Sequence, residues 1–256
     1  MKIVIKVGTS TLAHSTGRMN IRLMECFCKV LSDLKNAGHS IILVSSGAIG
    51  MGMGKLMLSK RPDDIATKQA AAAVGQCELM YVYDKLFSEH HHNVAQLLLT
   101  ADDLRNEERH RNFENTINRL LELGVIPIIN ENDSVATEEI EIGDNDTLSA
   151  FVANSVRAEL LVLMSDIDGL YSADPKKDPS ATLISEVHSI DDKIMALGGS
   201  AGSALGTGGM YTKLRAARIA TDGGCDMIIT NGKSPEVLYD ILDGKTVGTR
   251  FFAEGK

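Results

Sequence analysis

Two lysines and one run of acids and amides are the residues through which this sequence can do chemistry. Lys6 closes the apolar run KIVIKV, one step before Val7-Gly8. A lysine in that place is costly unless it faces a ligand cavity, although a strand-edge lysine can also snorkel to solvent. Gly143-Asp144-Asn145-Asp146 stands where a helix is expected to begin. Asp and Asn are ordinary caps. The run therefore fits plain capping, or a division in which one side chain caps, one meets a substrate and one meets the lysines. Gly206-Thr207-Gly208-Gly209-Met210 opens a further helical stretch that contains Lys213. Glycines let backbone N–H groups approach a phosphate, and a helix N-terminus adds positive potential. A flexible loop capping a surface helix reads the same way. Neither this stretch nor the glycine-rich runs 47–54 and 198–202 fit a P-loop or a dinucleotide fingerprint. The protein-kinase signatures and the hydrolase elbow are also missing.

These residues need elements to position them. Apolar, β-branched runs predict strands at 2–7, 40–45, 96–100, 125–130, 159–165 and 225–230. Apolar spacing of three and four predicts helices over 20–38, capped by Asn20 and stopped by Gly38, and over 66–87. Further helices are expected near 112–123, 145–157, 209–222 and 234–242. Ala70 to Ala73 suggest close packing against a neighbour. Several strands read as continuous apolar runs, which is how strands covered on both faces read. Strand–helix alternation then gives an α/β fold with a mostly parallel sheet between helical layers. Ligands of such sheets bind at the carboxyl ends of strands. Gly8-Thr9-Ser10, Ser45 to Gly50, Glu131-Asn132-Asp133 and Ser165 to Gly169 gather at those ends. Segment 134–142 is expected to be a partly exposed hairpin or flap.

Composition bounds the partners. The chain has 256 residues, 26 Lys plus Arg against 34 Asp plus Glu, and a net charge of −8. That balance argues against nucleic acid held on a broad basic face, but not against a small anionic substrate. No apolar run reaches a membrane span or a signal peptide, so a cytoplasmic protein is expected. Cys26 and Cys28 fall on different faces of one helix, and Cys77 and Cys225 stand alone, so four reduced thiols are expected. His90, His91 and His92 are adjacent and cannot all face one metal from regular structure. No protein metal site is expected.

Taken together, KVGTS at 6–10, VSSGAIGMG at 44–52, ENDSV at 131–135, GDND at 143–146, DGLYSADP at 168–175 and GTGGMYTK at 206–213 resemble the amino-acid kinase family. They occur in the family's order across essentially the whole chain. The resemblance implies a three-layer α/β/α sandwich around a mostly parallel sheet. VSSGAIG, ENDSV and GDND resemble the branch that phosphorylates the γ-carboxylate of L-glutamate with ATP, the first step of proline synthesis. In that branch Lys6 and Lys213 match lysines that stabilise the transferring phosphoryl group, and Asp146 matches the carboxylate that orients them. Ser46, Asp133 and Asn145 match glutamate-binding positions. Gly8, Ser165, Asp166, Thr207, Gly208, Gly209, Met210, Tyr211, Thr212 and Lys213 match nucleotide-binding positions, together with Lys6. Mg²⁺ accompanying the nucleotide, feedback inhibition by proline and a dimeric or tetrameric homo-oligomer are further implications. A single kinase domain over 1–256 without the C-terminal PUA domain of many members is expected. Another small acceptor within the family, or a nucleotide-binding regulator without catalysis, are the competing readings.

Overall fold

The computed structural model describes residues 1–14, 18–135, 144–199 and 209–253. Along the chain run β1 (Lys2–Val7), α1 (Thr9–Leu12), α2 (Ile21–Asn36), β2 (Ser40–Ser45), α3 (Ala48–Lys55), α4 (Ile65–Ser88), β3 (Val94–Leu99), α5 (Ala101–Arg105) and α6 (Glu107–Glu122). They are followed by β4 (Ile126–Glu131), α7 (Asn145–Ser155), β5 (Leu160–Ser165), β6 (Glu186–Val187), α8 (Asp192–Ala196), α9 (Met210–Asp222), β7 (Asp226–Asn231), α10 (Val237–Leu242) and β8 (Thr249–Phe251). The expected strands and helices all form, with ends displaced by a few residues. The helices announce their starts chemically: Asn20, Asp64 and Asn106 each accept the backbone N–H three residues on. Gly38, at φ +95°, ends the turn after α2 as expected.

The residues group into two compact units, Val7–Glu141 and Met1–Lys6 with Ile142–Lys256. In the first, β4 pairs in parallel with both β3 and β2. Its core joins Met24, Phe27 and Leu31 of α2, Ile41 to Val44 of β2, and Leu79, Tyr83 and Phe87 of α4. Burying each such apolar side chain is worth about 1.5–3 kcal/mol. The single polar atom of Tyr83 is satisfied by Ser45, whose Oγ lies 2.8 Å from the phenol oxygen. Burial pushes that phenol's pKa upward, so it stays neutral.

In the second unit the strand order is β1-β5-β7-β8-β6. β5 and β7 pair in parallel and β7 and β8 antiparallel. Every residue of β5 is buried, and β1 and β7 are buried at five consecutive positions each. Consecutive burial means both faces of a strand are covered, the arrangement of an α/β/α sandwich.

The glycine-rich run 47–54 holds an element that periodicity did not reveal. It forms α3, which packs on α4 through glycine. A Cβ on Gly52 would lie 1.8 Å from the Ala71 carbonyl oxygen, and one on Gly75 would lie 1.7 Å from that of Ala48. The glycines let two helix backbones touch. This is the close packing that Ala70 to Ala73 suggested. Of the flap expected at 134–142, residues 136–142 lie outside the described residues.

Candidate active site

β1 delivers Lys6, α7 delivers Asp146 in its first turn, and α9 delivers Lys213. All three belong to the second unit. Lys6 Nζ lies 2.6 Å from Asp146 Oδ1, and Lys213 Nζ lies 3.0 Å from Oδ2. Thr212 Oγ1 donates to the same Oδ2 at 3.1 Å. Lys6 is 8% exposed, Lys213 3% and Asp146 1%. Lys6 therefore does not snorkel. Burial alone would raise the Asp146 carboxyl, but the two ammonium groups outweigh it and hold it below the usual carboxylate range.

α7 and α9 are locked together beside this cluster. Asn154 Nδ2 of α7 donates to the Ile219 carbonyl of α9 at 2.6 Å. Small residues, Ala150 and Ala153 against Ala216, Ala217 and Ala220, are fully buried along the two helices. Two parts of the division of labour in the acid–amide run are visible. Asp144 is the cap, accepting from the Thr147 backbone N–H at 2.7 Å, and Asp146 takes the lysines. Burial pushes the Asp144 carboxyl upward, and the charge on Asp146 adds to that against the opposing cap bonds.

Three groups with two positive charges and one negative leave one net positive charge buried. Such a cluster is a poor way to stabilise a fold, because desolvation offsets most of the Coulomb gain. It is a good way to receive an anion. Preorganised cations around a transferring phosphoryl group lower the barrier without reorganising.

The other expected residues fall as follows. Ser165, at the end of β5, is buried and donates through Oγ to Asp166 Oδ1 at 3.2 Å. Gly209 caps α9, and Met210, Tyr211 and Thr212 form its first turn. Thr207 and Gly208 lie outside the described residues, as does Gly143. Asn145 is half-buried at the start of α7. In the first unit, Gly8 precedes α1, and Gly47 caps α3 at φ +105°, a conformation that favours glycine.

Asp133 lines a cavity of about 420 Å³ with residues of α3, α4, β3 and the β4 end. Ser46 lines a smaller one of about 20 Å³ with Thr9, Leu12 and Met51. Burial raises the Asp133 carboxyl, and the Arg61 charge pulls the other way. Gln76 and Asn130, which adjoin the Asp133 cavity, were not among the sequence candidates. Gln76 sits in the apolar repeat of α4 and Asn130 at the end of an apolar strand, so each reads as a stray polar residue. A polar residue at an apolar-face position was the available signal. Among the described residues no three His, Cys, Asp or Glu side chains group to hold a metal.

Residues 1–231 match the description of the amino acid kinase family. The chain belongs to that family. Among its curated relatives, a protein named glutamate 5-kinase from Clostridium perfringens is 51% identical over 257 residues, covering 99% of this chain and 96% of its own length. Another of that name, from Clostridium tetani, is 54% identical over 251 residues, covering 98% of this chain and 94% of its own. The fold is shared with solved structures. A solved carbamate kinase from Giardia lamblia bound to AMP-PNP superposes with a TM-score of 0.69 at 16% identity, over 98% of both chains. The amino acid kinase α/β sandwich expected from the motifs is thus the fold of this chain. No described helix is long and apolar enough to cross a membrane.

Proposed function

We propose that this chain transfers the γ-phosphoryl group of ATP to the γ-carboxylate of L-glutamate, giving ADP and L-glutamyl 5-phosphate, the first step of proline synthesis. The observation that carries the phosphoryl-transfer reading is the buried pair of lysines on Asp146. The choice of glutamate as acceptor is supported by relatives of that name at 51% and 54% identity over nearly the whole chain.

The chemistry fits the residues. A glutamate side-chain carboxylate, with a free pKa of about 4.3, is already ionised at neutral pH, so no general base is required. A carboxylate oxygen forms the new bond to the γ-phosphorus as the bond to the β–γ bridging oxygen breaks, and ADP carries away the electron pair. The obstacle is bringing one anion up to another. Lys6 and Lys213 would meet the phosphoryl oxygens, with Asp146 holding both ammonium groups in place. Ser165, Asp166 and the 207–213 segment would hold the nucleotide, with Gly8 near its phosphates. Ser46, Asp133 and Asn145 would hold glutamate, Asp133 through the substrate ammonium.

Mg²⁺ would accompany the nucleotide on its phosphates, neutralising charge there, since the described residues offer no carboxylate cage. Inhibition by proline, a dimeric or tetrameric homo-oligomer, a cytoplasmic location and action as one catalytic domain belong to the same reading.

ATP turnover in Mg²⁺ and hydroxylamine tests it, with L-glutamate, L-aspartate, N-acetyl-L-glutamate, carbamate and UMP offered separately. Hydroxylamine traps an acyl phosphate as a hydroxamate. Hydroxamate from L-glutamate is the expected result. Turnover with a different acceptor alone would overturn the glutamate assignment and keep the phosphate machinery. No turnover with any of them would overturn the kinase reading.

A further inference from the structure

We propose that Gln76 binds the α-carboxylate of the amino-acid acceptor through its side-chain Nε2, in an orientation set by Asn130. The inference rests on the reading that the acceptor is an α-amino acid.

The amide orientations are fixed by a chain of bonds. The backbone N–H of Glu131 can only donate, and it donates to Asn130 Oδ1 at 2.9 Å. Asn130 must therefore turn its Nδ2 the other way, and that nitrogen donates to Gln76 Oε1 at 2.9 Å. Gln76 must in turn present Nε2 away from Asn130. Gln76 is 8% exposed and lines the 420 Å³ cavity, and its Nε2 has no partner among the described residues. A buried donor left unmade is expensive, and a ligand acceptor is the simplest remedy. The backbone beneath it is closely packed, since neighbouring Gly75 has no room for a side chain against the Ala48 carbonyl.

The charge of the cavity narrows the ligand group. Its described lining holds the carboxylates of Glu131 and Asp133 and no Lys, Arg or His. Arg61 acts on Asp133 from outside that lining, one positive charge against two carboxylates, so a phosphate would be disfavoured there. A zwitterionic amino-acid head suits both features: its ammonium meets Asp133, and its carboxylate meets a neutral donor. Gln76 Nε2 is a donor of that kind, already desolvated, on a side chain that lines the cavity.

The test uses the full chain, wild type and Gln76→Leu, with L-glutamate and with 4-aminobutyrate, which is glutamate without its α-carboxylate. Cys77 lines the same cavity and is exposed, so its alkylation by iodoacetamide, mapped by peptide mass, reports occupancy independently of turnover. Gln76→Leu should raise the L-glutamate concentration needed to protect Cys77, and the KM, by about 10- to 100-fold, the loss of one hydrogen bond to a charged group. Saturated kcat should change little, and protection by 4-aminobutyrate should be the same in both proteins.

Asn130→Asp is the second variant. Its new carboxylate oxygen would accept from Gln76 Nε2 and turn Oε1 toward the cavity, so it should show the same selective loss for glutamate. Equal losses for both ligands, or unchanged glutamate behaviour in Gln76→Leu, would overturn the proposal. Wild-type turnover of glutamate without this selectivity would sink the Gln76 role alone. Selective protection by another α-amino acid without glutamate turnover would uphold Gln76 and overturn the glutamate reading.

Discussion

Lys213 can be separated from the fold more cleanly than its burial suggests, because Asp146 keeps Lys6 when Lys213 is lost. Lys213→Met should therefore lower kcat by about 10²–10³-fold, the scale of one preorganised transition-state contact. The unfolding midpoint in urea should move far less than that loss implies. A variant with unchanged turnover would remove Lys213 from the mechanism. Asp133 makes a second prediction at this scale, through pH. Its folded carboxyl is raised, by burial first, so the empty protein binds this proton more tightly than the unfolded chain does. Asp133 thus costs stability as pH rises through its folded value. A bound ammonium needs the charged form, so the KM for L-glutamate should rise as pH falls through that raised value. Asp133→Asn should flatten this dependence while weakening binding throughout; a wild-type KM that ignores acid would show that Asp133 meets no ammonium.

At the scale of elements, the α3–α4 contact is the most exacting joint in the first unit. Gly75→Ala puts a methyl where a carbonyl oxygen stands, so the helices must part. A loss of about 1–3 kcal/mol or more is expected by chemical denaturation. Gly54, also on α3, has open space around it, and Gly54→Ala should be neutral or stabilising by about 0.5–1 kcal/mol. Equal effects at the two glycines would mean that helix propensity, not the contact, governs α3. This joint also marks where the sequence could and could not be read. The long strands and helices were legible because their apolar periods match their burial. α3 was not, since glycine in a helix interior looks like a loop until its partner is seen. The lysines stood out by residue type and placement, and a capping role somewhere in the acid–amide run was legible too. That Asp146 is the member meeting the lysines came from the family resemblance, because residue type alone does not separate it from Asp144. Gln76 and Asn130 were not, because their meaning lies in a hydrogen bond across 54 positions of sequence.

For the whole molecule, the cysteines offer a built-in probe of cooperativity. Cys28 is buried in the first unit, where burial pushes its thiol pKa upward, and Cys225 is buried in the second. Each can react only when its own unit opens. A chain that acts as one domain should expose both at the same rate, at every denaturant concentration, while Cys77 reacts at once in the native state. Quenched alkylation with mass analysis would read this directly. Different rates for Cys28 and Cys225 would show that the two units open separately.

The carbonyl-to-glycine contacts of α3 and α4 also bear on how this protein can change over generations. A site walled by side chains can be retuned by single substitutions, each shifting the room for a ligand by a methylene or two. Where two backbones already touch, no smaller residue exists and every larger one separates the helices. Substitution at Gly52 or Gly75 would therefore disturb the frame, whereas cavity positions such as Cys77, Met80 and Gln96 can change size without parting the helices. New acceptor preferences in this lineage would be written at those positions, on a frame that drift cannot loosen.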